Sequence, residues 1–241
     1  MKNYIKSFAL LLLCTISFVA CTEDTSYDDY DGITYPEKIT LGSWTCQSSE
    51  AEKFDVTITV NAVGDTVCNV LYTTPVQQME MSAGVLTNYD AVSGMAEFDF
   101  GNSLWGTPGV LYAYYGLDKS SVKFCLFPVV QGQRYDSYRI DIIGDKVAFP
   151  PIFGYWVGMA GESILEFIVN GDGSCSYAVG DVYIEDGISS TSNGVTTLKP
   201  LSAEDGASVV TIRTNELFQM VATVSGVEGV AETTQFIMDK Q

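Results

Sequence analysis

Apolar and polar residues alternate with a period of two along most of the chain. In Phe54-Asp55-Val56-Thr57-Ile58-Thr59-Val60-Asn61 the apolar side chains fall on one face and the polar ones on the other, which is the pattern of a half-buried β-strand. Met95 to Phe100 repeats it with Ala96, Phe98 and Phe100 inward, as do Tyr138 to Ile142 and Phe218 to Val224. Turn residues punctuate these runs: Val63-Gly64-Asp65, Gly101-Asn102, Gly144-Asp145, Gly171-Asp172-Gly173 and Ser192-Asn193-Gly194, each suited to reversing an extended chain. No long window has helical periodicity, so the pattern predicts an all-β protein.

The order of features repeats once. Gly42-Ser43-Trp44 precedes the strand Phe54–Val60, then Asn61, a Gly64-Asp65 turn and Cys68. Gly154-Tyr155-Trp156 precedes Ile164–Val169, then Asn170, a Gly171-Asp172-Gly173 turn and Cys175. This predicts two tandem antiparallel modules, barrels or sandwiches, over 39–149 and 150–241, joined at Pro150-Pro151, where a central strand is disfavoured. One larger β-domain is the alternative. A G-x-W at the start of a meander's first strand resembles the lipocalin and calycin barrels. That resemblance implies a tryptophan closing one barrel end beneath a ligand cavity, and it rests on these two tripeptides alone.

The first twenty residues break the pattern. Lys2 and Lys6 precede an apolar run from Phe8 to Ala20, short of the roughly 20 residues that span a bilayer and suited to a cleaved secretory signal. The run leads into Val19-Ala20-Cys21, which resembles the lipobox of bacterial lipoproteins, with Phe18 where leucine is usual. The resemblance implies that Cys21 is acylated and becomes the N-terminus. Glu23, Asp24, Asp28, Asp29 and Asp31 follow with no intervening lysine or arginine. Acids in that place resemble the signal that exports some Gram-negative lipoproteins to the outer face of the outer membrane. Residues 21–38 are then a lipidated acidic tether.

Charge narrows the function. The chain has 12 basic and 30 acidic residues; without residues 1–20, 10 basic residues against 30 acidic ones leave a net charge of −20. No basic face is expected for nucleic acid. The chain has no histidine, which excludes Ser-His-Asp and Cys-His nucleophiles and imidazole metal sites. Cys46, Cys68, Cys125 and Cys175 lie far apart within apolar runs and read as buried free thiols, two disulfides being the alternative.

Three stretches could carry chemistry. Trp105 sits in a Gly/Pro-rich loop beside Tyr112, Tyr114 and Tyr115. Such rings make either a platform for a sugar or a partner's aromatic group, or core packing. Asn170-Gly171-Asp172-Gly173-Ser174 lacks the distal glutamate of a calcium loop and reads as a turn. Glu97 with Asp99, and Glu185 with Asp186, are acids in water-facing contexts rather than a hydrolytic pair. The expectation is a non-catalytic, cofactor-free binding lipoprotein on the cell surface, held in the outer membrane by its lipid. It would capture a glycan or a small apolar ligand. The alternative is a structural or protein-interaction subunit of an outer-membrane complex.

Overall fold

The structure, a computed structural model, describes residues 35, 37–47, 52–115, 121–202 and 208–241. The signal, Cys21 and the acids of the tether lie outside the described residues.

Two closed eight-stranded antiparallel barrels follow one another. The first contains β1 (Gly42–Gln47), β2 (Lys53–Val60), β3 (Thr66–Thr73), β4 (Gln78–Asp90), β5 (Met95–Phe100), β6 (Gly109–Tyr115), β7 (Ser121–Val130) and β9 (Ile140–Val147). Strands β1 to β7 run as a meander, and β9 closes the ring by pairing with both β7 and β1. The two-residue β8 (Gln133–Arg134) pairs only with the tip of β7. The second barrel is an uninterrupted up-and-down meander: β10 (Gly154–Ala160), β11 (Ser163–Val169), β12 (Ser174–Val179), β13 (Val182–Ser192), β14 (Val195–Pro200), β15 (Val209–Thr214), β16 (Met220–Ser225) and β17 (Gln235–Lys240), with β17 returning to β10. Closure leaves no unpaired sheet edge in either ring.

The internal repeat is visible in three dimensions. Trp44 on β1 and Trp156 on β10 both point inward, as do Cys68 on β3 and Cys175 on β12. The intervening turns share one hydrogen-bond pattern. Asn61 N donates to Asp65 O at 2.9 Å and Gly64 N to Asn61 O at 3.1 Å; Asn170 N donates to Ser174 O at 2.9 Å and Gly173 N to Asn170 O at 3.0 Å. Asn170 to Ser174 is thus a hairpin turn.

Both interiors are filled by side chains. Trp44, Met81, Phe98, Leu111 and Phe124 pack the first, and Leu165, Phe167, Tyr177, Leu198 and Phe236 the second, all among the most completely buried. The four cysteines are buried free thiols. Three sequence expectations change. The strand read over Tyr138 to Ile142 begins only at Ile140, Tyr138 closing a 3-10 turn over Asp136–Tyr138. Gly144-Asp145 is not a turn but lies within β9, where Gly144 faces inward: a Cβ there would stand 2.7 Å from Cys46 Sγ and 2.8 Å from Trp44 Cβ. The glycine serves the bulk of Trp44 rather than a reversal of the chain. Phe218, expected in a strand, occupies the turn before β16 with φ of 57°.

Residues Tyr35–Gln241 form one unit, because one end of the second barrel closes on the flank of the first. Strand β3 is apolar on both faces. Cys68 and Val70 enter the first core, whereas Val67 and Leu71 point outward and are still only 7% and 6% exposed. Four polar contacts tie the same surfaces. Thr59 Oγ1 donates to Leu217 O (3.2 Å), Ala62 N to Asp239 Oδ1 (2.9 Å) and Gln219 Nε2 to Asn61 O (3.2 Å), and Lys240 Nζ lies 2.9 Å from Glu80 Oε1.

Candidate functional site

The junction of the barrels leaves a cleft of about 220 Å³. Its first wall is the outer face of β2 and β3. Alternation places Asp55, Thr57 and Thr59 of β2 side by side there, with Asn69 and Leu71 of β3 next to them. Its second wall is the mouth of the other barrel, where Trp156 pairs with Lys240 across β10 and β17, and Met220 with Met238 across β16 and β17. Hydroxyl, amide and carboxylate groups therefore face an indole and two thioethers across a space sized for a small molecule. Ligand sites favour domain junctions and barrel mouths, and this cleft is both.

The polar wall is held in place. Asp55 accepts from Thr45 Oγ1 at 2.6 Å and pairs with Lys53 Nζ at 2.9 Å. Ser43 and Thr57 share a hydroxyl hydrogen bond of 3.0 Å. Asn69 Oδ1 accepts from the backbone N–H of Ala83 at 2.8 Å, fixing a bulge in β4. On the other side Trp156 Nε1 donates to Phe153 O at 3.0 Å. Ala83 and Phe218 both line the cleft and both have positive φ, 52° and 57°; they are two of four such non-glycine residues in the described chain. Residues held in that region cost of order 1–3 kcal/mol and gather at functional sites.

Among the described residues lining the cleft, Lys240 is the one amine. Its side chain is 6% exposed, its ammonium lies 5.4 Å from the Trp156 ring centroid, and Glu80 comes to it from β4 across the barrel junction. Burial pulls its pKa below the usual lysine value, and the Glu80 carboxylate opposes that shift. Gly154, the first residue of the second G-x-W, lets Glu80 approach: a Cβ at Gly154 would stand 2.6 Å from Glu80 Oε1.

The four aromatic residues singled out from the sequence lie elsewhere, on the first barrel. Trp105 sits in the turn between β5 and β6 and packs on the first core. Tyr115 points inward, is buried, donates its hydroxyl to Thr40 O at 3.0 Å and meets Trp44 edge-on. Only Tyr112 and Tyr114 share the outer face of β6. Their rings are near-parallel with centroids 6.4 Å apart, and the Arg134 guanidinium lies 5.5 Å from Tyr112 and 4.6 Å from Phe127. Arg134 thus lies over the Tyr112 ring, and the two half-buried tyrosines stand side by side. Burial raises the pKa of both phenols.

Glu97 and Asp99 lie on the outer face of β5, and Glu185 and Asp186 are exposed on β13. Among the described residues no cluster of three or more cysteines and acids suits a metal ion. The cleft was not visible in the sequence because Thr57 and Thr59 read as water-facing. The available signal was β3, where Val67 and Leu71 are apolar on the side opposite Cys68 and Val70. No family model, curated protein or solved structure matches this chain.

Proposed function

We propose that this protein is a non-catalytic, lipid-anchored binding protein of the outer membrane, facing the cell exterior, and that it captures a small glycan in the cleft between its barrels. The observation that carries the reading is the cleft itself: Asp55, Thr57, Thr59 and Asn69 opposite Trp156 and Met238. Hydroxyls and amides at alternate positions of a strand match the donors and acceptors of a sugar ring, and the Met220 and Met238 thioethers with the exposed rim of Trp156 offer an apolar surface to its C–H groups. A volume of about 220 Å³ is below the roughly 300 Å³ at which drug-sized pockets begin, so one sugar unit fits. The filled barrel interiors give less support to capture of an apolar molecule inside a barrel. The anchor at Cys21 and the surface placement rest on the leader and the acidic tether.

A thermal-shift screen of the 22–241 protein against mono- and oligosaccharides, with fatty acids as the contrasting panel, tests this. A sugar at a hundred times its dissociation constant stabilises by about 2.7 kcal/mol. Thr57→Phe, which fills the cleft, should abolish the shift. A response to fatty acids alone, or a sugar response unchanged in Thr57→Phe, would overturn the reading.

A further inference from the structure

The second barrel has two unlike sides. On β14 to β16 the outward positions mix the polar Thr197, Lys199, Thr211, Arg213 and Thr223 with the half-buried Val195, Val209 and Val221. On β10, β11 and β13 they include Tyr155, Met159, Ile164, Ile168 and Tyr183, all exposed, with Met159 at 66% and Tyr183 at 65%. Strand pairing makes these neighbours: Tyr155 faces Ile168 and Met159 faces Ile164 across β10 and β11, while Ala178 of β12 faces Tyr183. Single exposed apolar residues are ordinary, but a contiguous set on one side of a barrel marks an interaction surface.

The face carries its own selectivity. A depression of about 110 Å³, the size of one side chain, opens between Tyr155, Glu166, Ile168, Ser176, Ala178 and Tyr183. Among the described residues Glu166 is its only charged group, with the Tyr155 phenol lining the same depression, and an ionised carboxylate there offers several acceptor positions. Glu162, Asp181 and Glu185 are exposed around it. No lysine or arginine occurs between Lys146 and Lys199, so nothing on these strands neutralises the acids. A second copy of the chain, with net charge −18, would bring like charges together, which opposes self-association.

We infer that the outer face of β10 to β13 docks a different protein with a basic rim, which inserts an arginine or lysine stem between Tyr155, Ile168 and Tyr183 and sets its cationic head on Glu166. Such a side chain combines an apolar stem with a charge and suits an aromatic-lined, acid-floored pocket. Tyrosine and arginine pairs of this kind dominate binding energy at protein interfaces. The site lies on the barrel's outer wall and is independent of the cleft.

A photo-crosslinking residue in place of Tyr183, in the full chain on the producing cells, tests this, with the same residue at Thr223 on the opposite side as the control. The expected result is an adduct from position 183 only, mapped to a lysine- or arginine-bearing segment of one other protein. Glu166→Lys should reduce its yield by about tenfold or more, since reversing one partner of a docked charge pair costs more than about 1.4 kcal/mol. Glu166 is exposed, so that variant keeps its fold, and its response to a cleft ligand should be unchanged. No adduct, an adduct with a second copy or with lipid, equal yield from position 223, or an adduct indifferent to Glu166→Lys would each overturn the inference.

Discussion

Lys240, at the end of the last strand of the second barrel, reaches across the junction to Glu80 of the first, Nζ to Oε1 2.9 Å, with 6% and 21% of the side chains exposed. A buried amine costs several kcal/mol of desolvation unless it is paired, so the two barrels hold each other partly through this contact. Removing Glu80 strands the ammonium. We expect Glu80→Ala to lower unfolding stability by about 3 kcal/mol, the low end of the range for broken buried pairs because Glu80 keeps some solvent. Glu80→Met combined with Lys240→Met should recover most of the loss. Urea titration of the three proteins checks both statements.

A second prediction concerns Gly144. Its inward face is closed by Cys46 and Trp44 at distances no side-chain carbon tolerates. Gly144→Ala should cost about 1–3 kcal/mol by overpacking, seen as a lower denaturation midpoint with the slope preserved. Full stability in the variant would mean that β9 has freedom the structure does not show.

Much of the architecture could be read from alternation, because a filled barrel needs one apolar face per strand. Ala96, Phe98 and Phe100 point inward as their spacing requires, and the two G-x-W tripeptides open equivalent first strands. Gly144 shows where local reading fails. A Gly-Asp pair signals a turn by composition, but here the absence of a side chain answers a distant tryptophan. The cleft failed for a related reason: polar residues on an outward strand face look solvent-bound until another module covers them. Trp105 and Tyr115 were conspicuous as aromatic residues in the sequence, and their large apolar surfaces drew them into or onto the core.

The thiols predict an alkaline limit to stability. Burial, with Asp55 and Asp145 adding to it, pushes Cys46 up to about 12, and burial pushes Cys175 up to about 11, from an ordinary value of 9.0. The unfolded chain releases these protons first. Stability is therefore full below pH 9 and is lost as pH rises from there through about 11 to 12. Denaturation midpoints should fall steadily over that window. At pH 8 iodoacetamide should leave Cys46, Cys68, Cys125 and Cys175 unmodified in the folded protein and label all four in urea.

Cys21→Ala tests the placement of the protein. The variant should lose its lipid and move from the membrane to the soluble fraction. Unchanged fractionation with membranes would refute the anchor.

The central claim, capture of a small glycan between the barrels, is tested most directly by the three tryptophan side chains. A ¹H–¹⁵N spectrum resolves the indole N–H of Trp44 in the first core, Trp105 in the β5–β6 turn and Trp156 in the cleft. Titration with a sugar identified in the thermal-shift screen should move the Trp156 signal saturably and leave Trp44 and Trp105 in place. Movement of Trp105 with Trp156 unchanged would put binding at the β5–β6 turn of the first barrel and contradict capture in the cleft.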